Sequence, residues 1–398
     1  MLLRPSPFLA LFRMIAPLLC GSLVAQAQIL RPILQAPTIP NYVVQELTGL
    51  DGIYTTVALN DAGEVAGKYI TTGDGGGGGT SSRAAPTTNA DEPFAFVWKN
   101  GVVRKRFFPG KAFTVNGMNN KGVVVGTVTA PGLPPKVFIW RSQSDELTTV
   151  PTPTGPVLPD DINDHLMVVG LEWDGVRGFA LNASSGAYHP FLMDRSTVQN
   201  VGTPGTTAIN RNGMAVGSEV GFRPDLGFFI QEPYRWKVPF RRAKLTTLGH
   251  GGHASDVSAD GSIAGHVFDQ FNGNLACFWS RRGQLTTVGY PEGYFVAKGT
   301  AINSRDQLTV EAPNDFFGFT RAFVWIIDEF VDLTTFTQAQ IGLNASKPID
   351  INEDGFILVE LSDNTNQTLR GAAILKPRFR FGPILQGPMA ERSGNPTF

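Results

Sequence analysis

The sequence predicts an all-β chain: a seven-bladed β-propeller of four-stranded antiparallel blades, closed by an N-terminal strand. Three observations predict it. A ten-residue pattern returns seven times along the 398 residues. The apolar runs around it are short and rich in β-branched and aromatic residues, as buried strands are. Charged residues are only 17% of the chain, against 45 glycines and 28 prolines, a balance that favours strands and turns over long helices. A hydrophobic fraction of 42% can fill a sizeable core and excludes a fully disordered chain.

The first 27 residues read as an export signal, to be set aside before any fold argument. Arg4 and Arg13 precede the apolar stretch Met14–Ala25, and Ala25-Gln26-Ala27 supplies a small-x-small cleavage site before Gln28. Twelve residues at about 1.5 Å each span about 18 Å, short of the ~30 Å hydrocarbon layer, so the stretch reads as a leader and not an anchor. Pro17-Leu18-Leu19 lacks the small residue expected before a lipidated Cys20. Cleavage leaves one cysteine, Cys277, so no intramolecular disulfide is expected despite a secreted or periplasmic destination. Cys277 sits in the apolar run LACFW and reads as a buried small hydrophobe.

The repeat sets the organisation. It reads ALNDAGEVAG at 58, GMNNKGVVVG at 117, DINDHLMVVG at 161, AINRNGMAVG at 208, DVSADGSIAG at 256, AINSRDQLTV at 301 and DINEDGFILV at 350. The anchors Asn60, Asn119, Asn163, Asn210, Ser258, Asn303 and Asn352 are spaced close to 48 residues apart. Asn or Ser with Gly three residues later suits a tight turn whose side chain caps it and whose glycine takes positive φ. Aromatic-apolar segments follow: AFVW at 95, VFIW at 137, GFAL at 178, CFW at 277, AFVW at 322 and AAIL at 372, with GFFI at 227 and YRW at 234 both eligible in the fourth unit. A Leu-Thr-Thr segment at 147, 245, 285 and 333 supplies a further strand, and Asn100-Gly101 marks a hairpin.

Seven such sheets, each too small to bury both faces, need neighbours, and a ring satisfies all of them. A linear stack is the competitor. NYVVQELTGLDG at 41 matches the Leu-Thr-Thr strand without a unit before it, while the last unit lacks a clear strand of that type. Residues 42–48 are therefore expected to complete the last blade; RFRF at 378, weakened by Pro377, is the other option. The expected organisation is a signal peptide at 1–27, a tail at 28–41, the propeller at 42–376 and a second tail at 377–398. The tails share PILQ, at 32 and 383.

LGHGGHASDVSADGSIAGHV, AFVWKNG and LTTL resemble the bacterial extracellular repeat family called HAF, over about residues 42–375. The resemblance implies export and a propeller-like repeat array and carries no agreed biochemical activity. The sequence departs from it where Asp306 and Val310 replace glycines and at Leu166.

The Asn turns and the Trp hairpins fall on one face of the ring. The longer loops, including the insertion Thr71–Pro93, fall on the other, which is the expected binding face. Its candidate ligand-binding residues are Trp173, Asp174, Arg177, Arg223, Phe316, Phe317 and Arg321, aromatics beside charges of the sort that suit sugar rings or extended peptides. Packing between blades is the competing reading of the aromatics. Asp161, Asp256 and Asp350 each stand two residues before an anchor, so repeat symmetry aims all three at the central channel. There they either hold a cation or raise one pKa for acid–base work, or they bond backbone amides of adjacent blades.

His250, His253 and His266 have the spacing of a metal cluster without a cysteine or acidic partner, so no metal or other cofactor is expected. RKRFF at 104 and YRWKVPFRRAK at 234 read as solvated edge strands. A formal charge of −1 excludes a globally basic nucleic-acid binder. No phosphate loop, Gly-x-Ser-x-Gly elbow or His-Glu-x-x-His occurs. The expectation is a secreted, monomeric, non-catalytic recognition or structural propeller. It binds a glycan, a peptide or other cell-surface material and does not span the membrane after leader cleavage. The alternative is an extracellular polysaccharide-acting lyase or hydrolase with carboxylates at the central channel.

Overall fold

Seven four-stranded antiparallel sheets follow one another along the chain. In blade 1 the strands are Ile53–Leu59, Val65–Ile70, Phe94–Lys99 and Val102–Phe107, from the channel outward. Blades 2 to 6 repeat this order, and blade 7 takes its first three strands from Asn344–Ile351, Ile357–Ser362 and Leu369–Pro377. Tyr42–Glu46 holds the fourth place of blade 7, with Tyr42 opposite Pro377 and Glu46 opposite Ala373. The computed structural model describes residues 40–50, 52–70, 92–152, 155–172, 178–191, 205–223, 228–237, 241–270, 273–314, 319–363 and 368–378. The leader and both tails, apart from Pro40, Asn41, Pro377 and Arg378, lie outside them, as does the insertion at 71–91.

Packing explains why a ring forms. Among the described residues the apolar side chains gather into seven clusters, each shared by two neighbouring blades. One joins Tyr54, Phe96 and Trp98 of blade 1 to Leu358 and Ile374 of blade 7. A linear stack would leave that surface in water. Each large side chain so buried contributes about 1.5–3 kcal/mol.

The turns keep one geometry. Gly122 takes φ 68°, and Leu166 and Asp306, which replace the glycine in blades 3 and 6, take φ 58° and 55°. The first strand of every blade carries a bulge two or three residues before its anchor, between Val115 and Gly117 in blade 2, for example. The bulged strand brings its carbonyls close to the second strand. A Cβ on Gly126 would lie 1.9 Å from the Thr114 carbonyl oxygen, which accounts for the second glycine of the repeat.

Several sequence expectations need correcting. The fourth strand of blade 6 is Glu329–Asp332, and Thr334–Ile341 of the Leu-Thr-Thr segment forms a helix. The tight hairpin at Ile327-Asp328, both at positive φ, starts the strand early, and Asp332 Oδ1 accepts from the Thr334 amide at the helix entrance. Leu47-Thr48 and Leu245-Thr246 follow their strands, where Trp98 and Trp279 of the next blades donate to the carbonyls of Thr48 and Thr246. Phe228-Phe229-Ile230 and Tyr234-Arg235-Trp236 share one ten-residue strand, Phe228–Lys237, with Trp236 in the tryptophan position opposite Ala215. The basic outer strands are not simply solvated: Arg104 reaches buried Glu64 at 3.3 Å, and Arg106 reaches Asp145 at 3.2 Å.

Candidate functional site

The channel is built from the first strands. At the Asn-turn end it opens into a cavity of about 270 Å³ whose lining includes Asp160, Asp161, Asp256, Asp350 and Glu353. The three aspartates expected at the axis do line it. Each also holds the wall together. Asp161 Oδ2 accepts from the Ile209 amide of blade 4 at 2.9 Å, and Oδ1 from the Ile162 amide at 2.7 Å. Asp256 accepts from the Ile302 amide of blade 6 at 2.9 Å. Asp350 accepts from the Leu59 amide of blade 1 and the Ile351 amide, both at 2.7 Å. A small neighbour makes room: a Cβ on Gly117 would stand 2.8 Å from Asp161 Oδ1. The carboxylates therefore staple blades 3 to 4, 5 to 6 and 7 to 1.

Burial governs their charge. It pushes Asp161 up to about 7 against the pull of its two amide donors, with Asp256 and Asp160 adding repulsion. Asp160, in the bulge, is pushed up to about 7 by burial. Burial also raises Asp256 and Asp350, the latter further through the charge of Asp256. Among the described residues, no group of three or more His, Cys, Asp or Glu side chains can hold a metal ion. Cys277 is buried and free, its thiol pushed well up by burial.

Side-chain bonds run from blade to blade at this end. Asn119 Nδ2 donates to the Asn163 carbonyl at 3.0 Å, Asn163 to Asn210 at 3.1 Å, and Asn210 to Ser258 at 2.9 Å. Asn303 donates to Asn352 at 3.1 Å. Ser258 has no amide to pass the chain on. Glu353 of blade 7 bridges that stretch, accepting from the amides of Ala259 in blade 5 and Ser304 in blade 6, at 3.2 and 3.1 Å. Sequence reasoning identified the anchors as turn caps and missed their second job, which only the closed ring reveals.

The opposite end carries the loops. Trp173, Asp174, Arg177, Phe316 and Phe317 lie outside the described residues. Arg223, expected in a loop, ends the second strand of blade 4, because pairing of Arg223 with Phe228 prolongs that hairpin. Arg321 is on the third strand of blade 6, where its guanidinium meets Asp332 at 2.9 Å. Single exposed apolar side chains also stand at this end in different blades, among them Leu133, Leu158, Leu248, Phe295 and Leu369, with Phe295 62% exposed.

His253 and His266 face each other across the first two strands of blade 5, ring centroids 5.7 Å apart. Ser218 Oγ lies 2.8 Å from His253 Nδ1. Burial, with the charge of Lys298, lowers His253 to about 4. Burial, with His253 and Lys298, lowers His266 to about 3.

No protein-family model matches the sequence, and no curated protein does. Solved structures do match in fold. The β-propeller domain of the Trilobed protease from Pyrococcus furiosus is 9% identical, with a TM-score of 0.50, over 84% of this chain and 95% of that one. YCF48 bound to D1 peptide is 13% identical, with a TM-score of 0.47, over 87% and 99%. U3-55K is 11% identical, with a TM-score of 0.48, over 84% and 98%. At these identities the likeness speaks to the fold alone, and this chain is a seven-bladed β-propeller of four-stranded blades.

Proposed function

We propose that this chain is an exported, non-catalytic recognition propeller that binds a glycan, peptide or other cell-surface ligand through its long-loop face. The observation that carries the reading is the exposure of large apolar side chains in the loops at that end, Phe295 and Leu133 foremost, opposite a face tied off by polar bonds between blades. The three axial aspartates support a binding role over a catalytic one, since each is occupied in bonding the next blade. Export rests on the leader sequence, and kinship with HAF-repeat proteins rests on the repeat motifs; no helix among the described residues is long and apolar enough to cross a membrane.

The test is a binding screen of the full chain against immobilised oligosaccharides and envelope peptides, beside Phe295→Asp and Leu133→Asp. Loss of binding in these variants with unchanged melting supports the reading. Turnover of a polysaccharide that is abolished in Asp161→Asn would replace it with the enzyme reading.

A further inference from the structure

Asparagine is followed by glycine at residues 100, 116, 212 and 272. Such a pair carries its own reactants. The glycine amide nitrogen attacks the asparagine side-chain carbon and closes a succinimide ring, and glycine has no Cβ to hinder the closure. In a folded chain the reaction needs both groups free to meet. The structure separates the sites on that point.

Asn116 and Asn212 are held. Asn116 Oδ1 accepts from the Thr114 hydroxyl at 2.6 Å, and Gly117 is buried against blade 3, where a Cβ would stand 3.0 Å from Asp161 Cα. Asn212 Nδ2 donates to the Ala259 carbonyl at 2.8 Å, and the Gly213 amide donates to the Asn210 carbonyl at 3.0 Å. Both reacting groups are engaged there. Asn272 lies outside the described residues. Asn100 differs. With Gly101 it makes the exposed two-residue tip between Phe94–Lys99 and Val102–Phe107, at φ 49° and 84°, as in a type I′ turn. Neither the Asn100 side chain nor the Gly101 amide has a hydrogen-bond partner among the described residues.

We propose that Asn100-Gly101 is a self-modification site, at which the Gly101 nitrogen displaces ammonia from the Asn100 side chain and solvent water reopens the ring. The bond from the Gly101 nitrogen to Asn100 Cγ forms as the bond from Cγ to Nδ2 breaks, and the Gly101 proton leaves with the ammonia. Water then adds to one of the two imide carbonyls. Addition at Cγ gives aspartate. Addition at the main-chain carbon gives isoaspartate, with an extra methylene in the backbone. Nothing is oxidised or reduced. The place of the tip sets the consequence. A two-residue turn of this type follows the twist of its strands, and an added backbone atom misaligns them. The tip rests on the segment joining the closing strand Tyr42–Glu46 to blade 1: a Cβ on Gly101 would stand 3.5 Å from Thr48 Oγ1, and the Trp98 indole donates to the Thr48 carbonyl at 2.9 Å. Isoaspartate at 100 therefore loosens the joint at which the ring closes. Modification here is independent of any ligand on the loop face.

The experiment holds the full folded chain and a guanidinium-denatured sample in the same mildly alkaline buffer. Mass spectrometry follows the Asn-Gly peptides, with electron-based fragmentation to tell isoaspartate from aspartate. In the folded chain Asn100 is expected to convert at least tenfold faster than Asn116 and Asn212, mainly to isoaspartate, while the denatured chain converts all three at similar rates. Conversion of Asn100 no faster than the other two in the fold overturns the site. A tenfold gap that persists in the denatured chain overturns the structural cause, since neighbouring sequence alone then sets the rates. Gly-Gly also suits the turn, so Asn100→Gly is expected to fold alike and cannot cyclise here. Ageing is expected to lower the melting temperature of the wild type and not of Asn100→Gly. An equal change in both overturns the effect on closure.

Discussion

Asn352 Nδ2 donates to the backbone carbonyl of Asn60 at 3.1 Å, across 292 residues of sequence. This is one of the bonds that tie the last blade to the first, and it copies those that tie blade 2 to 3 and 3 to 4. The same side chain accepts from the amides of Asp354 and Phe356, so one asparagine shapes its own turn and holds the neighbouring one.

A ring bond of this kind should be costly to remove. Asn119 is 4% exposed, and its side chain accepts from the amides of Lys121 and Val123 while donating to Asn163. Asn119→Ala leaves those groups without partners and is expected to cost about 2–4 kcal/mol, read from the denaturant midpoint. Ser258→Asn supplies the missing donor between blades 5 and 6 and is expected to gain about 1 kcal/mol. Equal midpoints for wild type and Asn119→Ala would refute the role given to the ring.

Stability should depend on pH through the axial aspartates. An unfolded Asp ionises near 4, whereas burial holds Asp161 up to about 7. The folded chain then keeps a proton that the unfolded chain has released, so stability falls as pH rises from about 4 to about 7. Asp161→Asn with Asp256→Asn and Asp350→Asn is expected to flatten that fall in melting temperature. A profile as steep as the wild type would show that other groups carry it.

The buried histidines act in the opposite sense. Held at about 4 and about 3, His253 and His266 stay neutral in the fold while the unfolded chain protonates them below about 6.5. Their contribution is complete above about 6.5 and is lost as pH falls toward 4 and then 3. His266→Gln is expected to lose less stability than the wild type between pH 6 and 4. If both proteins lose the same amount, His266 is protonated without penalty.

The repeat made the ring legible, because each anchor and each apolar run marks a turn or a strand by local chemistry alone. The axial placement of Asp161, Asp256 and Asp350 followed from symmetry. Their bonds to the next blade did not, since these depend on a bulge and on the contact between two sheets. Leu166 and Asp306 read as departures from the motif, yet the flanking turn holds them at the glycine's φ. The helix at Thr334 was hidden because Leu333-Thr334-Thr335 is locally the same as the segments that form strands at 147 and 285.

That helix has a function in closure that can be tested. Its Gln340 side chain donates to the Tyr42 carbonyl at 2.8 Å and accepts from the Val44 amide at 3.0 Å, filling the outer edge of the strand that completes blade 7. Phe336 meets the Tyr42 ring edge-on, centroids 5.3 Å apart. An amide side chain here takes the place of a fifth strand and keeps other chains off an exposed edge. Gln340→Ala is expected to cost only about 1 kcal/mol globally while the Val44 amide exchanges with solvent at least tenfold faster. Gln340→Glu keeps the acceptor for Val44 and loses the donor to Tyr42, so Val44 should remain protected. Fast exchange at Val44 in Gln340→Glu as well would assign the protection to Phe336 packing and not to the amide bridge.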